Sequence, residues 1–183
     1  MGLIKFKAPT SIRPTTAKNR LAIFNVLRGE ITNWQTINGL DLFAGSGALG
    51  LTALLEGAKQ FTFIDNFSGS LESIKENANK FKQIDKCKII KAHACKHQLD
   101  EQFDLIFADP PYNIMLKDLI NLFNLIQKAL LPSGIFVFEM ASKRNSEIES
   151  LIIQNSDLEV LQKKNYGDTN IYFCTNQENT LTV

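Results

Sequence analysis

Apolar positions along the chain switch repeatedly between two periods. Short, nearly solid apolar runs read as strands: Gly39–Phe43 (GLDLF), Gln60–Asp65 (QFTFID), Lys88–Ala92, Phe103–Ala108 (FDLIFA) and Gly134–Met140 (GIFVFEM). Between them, apolar residues recur at helical spacing. Thr15 or Thr16 can cap a helix to about Leu27, with Leu21, Phe24 and Leu27 on one face and Gly29 as its stop. Further helices are expected at Ala48–Leu55, ended by Gly57, from Ser70 to about Phe81, over Leu116–Leu130 before Pro132, and over Ser146–Gln154. Leu158–Asn165 and Thr169–Thr175 read as two final strands joined at Tyr166-Gly167-Asp168. Strand and helix alternate five times before a closing hairpin. That order specifies an α/β fold: a doubly wound, Rossmann-like sheet, mostly parallel, with an antiparallel C-terminal hairpin. FDLIFA is apolar but for Asp104, as suits a central parallel strand covered on both faces. In such a sheet the C-terminal ends of the strands form the functional rim.

Composition narrows the class. Of 183 residues, 44% are apolar and 21% charged, which excludes a disordered or collagen-like chain. No apolar run approaches the length of about 18 residues that a membrane span requires. Met1–Lys7 alternates apolar residues with lysine and lacks a signal core, so a cytoplasmic location is expected. Cys87, Cys95 and Cys174 are scattered, with no metal-ligand spacing, and read as small buried residues; no metal is expected.

The net charge of +1 conceals an asymmetry. Residues 1–29 carry Lys5, Lys7, Arg13, Lys18, Arg20 and Arg28 and no acid, whereas the remainder holds 14 basic and 19 acidic residues. We therefore expect a basic N-terminal arm and helix over 1–28, extended as far as Arg13-Pro14, followed by a single globular unit over 29–183. A basic arm on a mildly acidic body suits a polyanionic partner, or is a solvated surface segment.

The loop after the first strand reads Ala44-Gly45-Ser46-Gly47-Ala48-Leu49-Gly50, a GxGxxG match, and Asp65 ends the next strand. Glycines let backbone turn tightly against a ligand, and an acid at the second strand end can hold two ribose hydroxyls. NAD and S-adenosylmethionine both carry such a ribose, so the loop alone leaves the cofactor open.

Asp109-Pro110-Pro111-Tyr112 follows directly on FDLIFA and so lies on the rim. Two prolines hold the backbone extended and leave carbonyls without local partners. Those carbonyls and the Asp109 side chain form a cluster of acceptors, and Tyr112 offers a flat face for a base. Acceptors that hold both hydrogens of an exocyclic amine favour the pyramidal, partly cationic nitrogen of a methyl-transfer transition state. Placing that nitrogen in line with a methyl donor supplies much of the remaining rate.

The glycine loop, Asp65 and DPPY together resemble a class I S-adenosylmethionine-dependent methyltransferase acting on amino groups. Arg13-Pro14-Thr15-Thr16 with Arg20 and Phe24-Asn25, the run LDLFAGSGALGLTAL at 40–54, and Tyr166-Gly167-Asp168-Thr169 resemble the bacterial small-subunit (16S) ribosomal RNA guanine-N2 methyltransferases, the RsmD family. The resemblance spans about residues 6–175. It implies that Gly45 and Gly47 shape the pocket for the methionine part of S-adenosylmethionine, with Asp41 and the Phe43–Ala44 backbone beneath. It places Asp65 at the ribose, Asn66 beside it, His93 and Ala94 near the adenine, and Asp109, Pro110, Pro111 and Tyr112 at the target guanine amine. Thr15 and Thr16 would lie near the methionine end on the RNA side, with Arg13, Lys18 and Arg20 along the RNA backbone. The implied substrate is 16S rRNA in the small subunit or an assembly intermediate, acted on by a monomer.

The chain departs from the family where Asp65 stands for the usual Glu, Phe67 for a common acid, His93 for the usual Asn or Asp, and Ala17 and Leu21 for polar residues, and its N-terminal arm is shorter than in many members. Arg144, with Lys143, follows the fifth strand and reads either as a phosphate contact or as a solvated lead-in to a helix. His97 reads as a surface residue and Trp34 as packing. An adenine-N6 methyltransferase would keep DPPY but leave RPTT and YGDT unexplained. A non-catalytic nucleic-acid-binding module on the same fold is the remaining alternative.

Overall fold

A computed structural model of the chain describes residues 4–8, 16–154 and 158–176. The expected Arg13, Pro14 and Thr15 features lie outside those residues. Two units divide the chain, Met1–Ala94 and Cys95–Val183.

The first unit begins with helix α1 (Ala17–Glu30), capped by Thr16, whose hydroxyl oxygen accepts the Asn19 N–H at 3.1 Å. Two expectations for α1 fail. Leu21 is 56% exposed, because the buried stripe runs Asn19, Ile23, Phe24 and Leu27 and Leu21 falls on the opposite face. Gly29 does not stop the helix. α1 continues to Glu30 and ends where Ile31 turns extended and donates its N–H to the Leu27 carbonyl at 2.8 Å. Trp34 packs on Phe24, their rings stacked 6.0 Å apart.

Strands β1 (Asn38–Leu42), β2 (Gln60–Asp65) and β3 (Cys87–Lys91) pair in parallel, with β2 in the middle. The helices between them are α2 (Ala48–Glu56) and α3 (Ser68–Lys80). α2 has almost no polar face, with seven of its nine residues buried. It lies close on the sheet because Gly50 has no side chain: a Cβ there would sit 2.5 Å from the Phe63 ring. α3 starts two residues earlier than the pattern predicts, with Phe67 extended ahead of it.

The second unit opens with β4 (Phe103–Ala108), then α4 (Leu116–Ala129), β5 (Leu130–Ala141), α5 (Asn145–Gln154), β6 (Leu158–Tyr166) and β7 (Thr169–Asn176). β4 and β5 are parallel; β7 pairs antiparallel with both β5 and β6. β5 begins at Leu130 rather than Gly134. An irregular register around Pro132, which lacks an N–H, and Ser133, whose φ is +59°, hides its start from a pattern reading. Phe123, Phe136, Phe138 and Tyr172 form an aromatic core with ring separations of 5.5–6.3 Å. The seven strands among the described residues, mostly parallel with an antiparallel C-terminal hairpin, match the expected fold class. Among the described residues no helix is long and apolar enough to cross a membrane.

Candidate functional site

Two strand-end loops carry the candidate residues, one in each unit. In the first unit, β1 gives way to a turn in which Phe43, Gly45 and Gly47 all adopt left-handed backbone, at φ of 58°, 55° and 74°. For Phe43 this conformation costs about 1 kcal/mol or more, and such strain concentrates at functional sites. Gly47 closes the turn by donating its N–H to the Ala44 carbonyl at 2.7 Å and heads α2 without a side-chain cap.

Two buried acids fasten this loop. Asp41 Oδ2 accepts the Gly50 N–H at 2.9 Å and supplies the first turn of α2 with the acceptor it otherwise lacks. Asp65 Oδ2 accepts the Gly45 N–H at 2.9 Å, and Oδ1 accepts the Phe67 N–H at 2.8 Å. Asp65, expected to hold ribose hydroxyls, thus also locks the glycine loop to the end of β2. Each carboxylate oxygen has a second acceptor site, so the backbone bonds leave capacity for a ligand hydroxyl. Asn66 is exposed beside it. After β3, the Ala92 N–H donates to the Asp65 carbonyl at 3.1 Å, which brings the loop carrying exposed His93 and buried Ala94 alongside.

This arrangement discriminates between the two cofactors that the sequence left open. A pyrophosphate needs free backbone N–H groups at a helix N-terminus. Here the Gly45 and Gly50 N–H groups already serve carboxylates, and two buried acids would repel a phosphate. The same acids suit a cationic sulfonium with a ribose, so the residues fit S-adenosylmethionine.

The basic residues of the first unit are less free than their sequence suggests. Arg20 donates through Nη2 to the Ile4 carbonyl at 2.7 Å and lies over the Phe6 ring at 4.8 Å. Burial lowers its pKa from the ordinary value. Lys7 pairs with Glu76 at 2.7 Å and Arg28 with Glu56. Thr16, expected on the RNA side, spends its hydroxyl oxygen on capping α1, whereas Lys18 is exposed. Sequence reasoning missed Asn77. Its amide exchanges hydrogen bonds with the Lys7 backbone (2.9 and 2.8 Å) and donates to the Ser46 carbonyl in the glycine loop at 2.9 Å. Its position on the inner face of α3 was the available signal, because a buried amide requires partners.

In the second unit, Asp109 is half-buried directly after β4, Pro110 is buried, Pro111 exposed and Tyr112 half-buried. The chain then turns, the Ile114 N–H donating to the Pro111 carbonyl at 2.9 Å. Tyr112 shares a 2.7 Å hydrogen bond with the Thr169 hydroxyl at the start of β7. Thr169 belongs to the YGDT stretch that the sequence marked without a role.

Arg144, which the sequence leaves open between a phosphate contact and a helix lead-in, bonds within the second unit. Its Nε and Nη2 donate to the two carboxylate oxygens of Glu147 at 2.6 and 2.8 Å, and Nη1 donates to the carbonyls of Ile114 at 2.7 Å and Tyr112 at 3.4 Å. The guanidinium holds the Glu147 carboxyl below its ordinary range. The reason is proximity: Arg144 begins the turn into α5, one helical turn from Glu147 and facing the DPPY loop.

Cys95 and Cys174 are buried as expected, whereas Cys87 on β3 is only half-buried. Burial pushes the thiols of Cys87 and Cys174 up to about 12 and that of Cys95 up to about 11, which keeps them protonated. His97 is half-buried.

Residues 2–175 match the family model described as Conserved hypothetical protein 95. A Bacillus subtilis protein, YlbH, which carries the name of an rRNA methyltransferase, is 33% identical over 92% of this chain and 90% of its own. The chain belongs to this family. The ribosomal RNA small subunit methyltransferase D of Buchnera aphidicola is 32% identical over 79% of the chain and 75% of its own. Among solved structures, a ribosomal protein L11 methylase from Lactobacillus delbrueckii subsp. bulgaricus superposes with a TM-score of 0.76 at 21% identity, over 93% of this chain and 84% of that one, a likeness of fold. The protein is a methyltransferase of the RsmD type, with S-adenosylmethionine as its cofactor.

Proposed function

We propose that this methyltransferase modifies the exocyclic N2 amine of a guanine in 16S ribosomal RNA, within the small subunit or an assembly intermediate. The observation that carries the reading is the acceptor loop: Asp109-Pro110-Pro111-Tyr112 after an apolar strand, with Tyr112 anchored through its hydroxyl to Thr169. A ring tethered at that end presents a fixed face for a flipped base. Stacking on it offsets the few kcal/mol of unstacking that extrusion costs. The names carried by the relatives from Bacillus subtilis and Buchnera aphidicola support RNA as the substrate.

When bound, the cofactor supplies an electrophilic methyl group on a sulfonium. Gly45, Gly47 and the Phe43–Ala44 backbone form the turn under its methionine part, Asp65 and Asn66 lie on the ribose side, and His93 and Ala94 lie on the adenine side. Asp109 and the loop carbonyls accept both hydrogens of the guanine amine. That draws the nitrogen lone pair out of conjugation with the ring and stabilises the partly cationic nitrogen as it forms. The amine proton becomes acidic once the fourth bond forms, so no separate general base is needed.

The protein acts as a cytoplasmic monomer, with residues 1–28 as its basic RNA-side element and 29–183 as its methyltransferase body. This reading assigns RNA binding to Arg13, Thr15, Thr16, Lys18 and Arg20. So little surface reads RNA poorly by sequence, so the substrate is a folded ribonucleoprotein rather than naked RNA.

The test is transfer of labelled methyl to unmodified small subunits, with the product nucleoside identified by mass. N2-methylguanosine is the expected product. N6-methyladenosine would keep the acceptor chemistry and overturn the base. Equal activity on protein-free rRNA would overturn the ribonucleoprotein requirement.

A further inference from the structure

We infer that Arg144, Glu147 and Thr169 are positioning residues that fix the acceptor loop, and that Arg144 does not contact RNA. The inference rests on the proposed reading of Asp109–Tyr112 as the acceptor site.

The loop has an intrinsic weakness. Pro110 and Pro111 have no N–H, so the backbone can make few hydrogen bonds of its own, and its carbonyls need donors from elsewhere. Arg144 supplies them. One face of its guanidinium is saturated by the two Glu147 oxygens, which fixes the plane of the group. The Nη1 left over points at the Ile114 and Tyr112 carbonyls. A second tether acts on the side chain, where the Tyr112 hydroxyl meets Thr169.

The two tethers are themselves joined. Ser142, two residues before Arg144, donates its N–H to the Asp168 carbonyl at 2.8 Å, next to Thr169. The contacts therefore close a ring from Tyr112 to Thr169, through the hairpin turn to Ser142 and Arg144, and back to the Tyr112 backbone. A ring of this kind sets both the position of the acceptor carbonyls and the tilt of the aromatic face. Displacement of a reacting group by about 1 Å can lower the rate about 100-fold. Arg144, whose side chain is only 15% exposed, keeps little surface for a phosphate.

The experiment compares wild-type protein with Arg144→Ala, Arg144→Lys and Thr169→Val. It measures kcat, KM and the salt dependence of KM on small subunits, cofactor affinity, and amide hydrogen exchange of residues 112–116 in the free protein. We expect Arg144→Ala to lower kcat about 10- to 100-fold and to speed exchange at Asn113–Met115. Cofactor affinity and salt slope should stay unchanged. Arg144→Lys should recover little, because an ammonium cannot serve Glu147 and two carbonyls in one plane. Thr169→Val should lower kcat less, and combined with Arg144→Ala should add less than its separate effect, as members of one ring do.

Unchanged kcat in Arg144→Ala would overturn the inference. So would a raised KM with a shallower salt slope, which would mark Arg144 as a phosphate contact. Failure of the wild type to methylate guanine would instead overturn the proposed function. The exchange data alone then decide the tether, and unchanged exchange overturns it.

Discussion

The glycine loop and the acceptor loop are both turns at strand ends, yet they are fastened by groups of opposite character. The first is held by carboxylates that accept its N–H groups: Asp41 from Gly50, nine residues away, and Asp65 from Gly45, twenty away. The second is held by a donor that reaches its carbonyls, Arg144 onto Ile114 thirty residues away, and by a hydroxyl–hydroxyl bond between Tyr112 and Thr169, fifty-seven residues apart. The backbone dictates the difference. A glycine turn at a helix start exposes N–H groups and attracts acids. A proline turn has lost its N–H groups and keeps its carbonyls, so it attracts a guanidinium. The acids also suit a sulfonium, and the tethered carbonyls suit an amine. In each loop the fastening matches the proposed ligand.

The largest effect should come from the acceptor loop. Asp109→Ala is expected to reduce methyl transfer by 100-fold or more while unfolding at nearly the wild-type temperature, because the residue sits at a strand end and outside the apolar core. Single-turnover assays beside a thermal melt would check this, and retained turnover would remove Asp109 from the chemistry.

The glycine loop should answer differently. Asp65→Ala leaves the Gly45 and Phe67 N–H groups without their acceptor, a cost of about 1–3 kcal/mol for each buried group left unpaired. The expectation is a lower Tm together with cofactor affinity weakened about 10- to 100-fold. The rate on saturating cofactor should be far less affected. Calorimetric titration with S-adenosylmethionine separates the two, and unchanged affinity would leave Asp65 with a purely structural role.

The same contrast explains what could be read in advance. β2 and β4 appear at their expected residues, because each is a short, mainly apolar run between clear punctuation. The glycine loop was legible because glycines, helix start and acid fall within about twenty-five residues of one another. The partners of Arg144 are not legible because its carbonyl acceptors lie about thirty residues back, and a one-dimensional pattern gives no sign of which carbonyls will lack donors. Leu21 was misplaced for a local reason: the apolar stripe of α1 includes Asn19, a polar residue that a hydrophobic pattern discounts. YGDT was recognised as a motif, yet its role emerges only once Thr169 meets Tyr112.

A smaller effect separates the two basic side chains of α1. Lys18 is exposed, so Lys18→Ala should reduce the salt slope of RNA binding by about one unit and leave Tm unchanged. Arg20 is tied to Ile4 and Phe6, so Arg20→Ala should also free the 4–8 segment and lower Tm. Identical behaviour of the two variants would place Arg20 on the surface with Lys18.

The smallest effect is a pH dependence confined to the acceptor loop's brace. Hydrogen bonds from Arg144 hold the folded Glu147 pKa below its unfolded value. The stabilisation is therefore fully present above the unfolded value, near about 4.3, and fades as pH falls through the folded one. Glu147 is partly exposed, which limits the effect to about 1 kcal/mol or less. The stability gap between wild type and Glu147→Gln, measured by chemical denaturation, should be constant from pH 6 to 7 and shrink on acidification through about pH 4. A gap that stays constant down to about pH 3 would mean that the Arg144 pair contributes nothing through charge. The acceptor loop would then be braced by the Nη1 bonds alone.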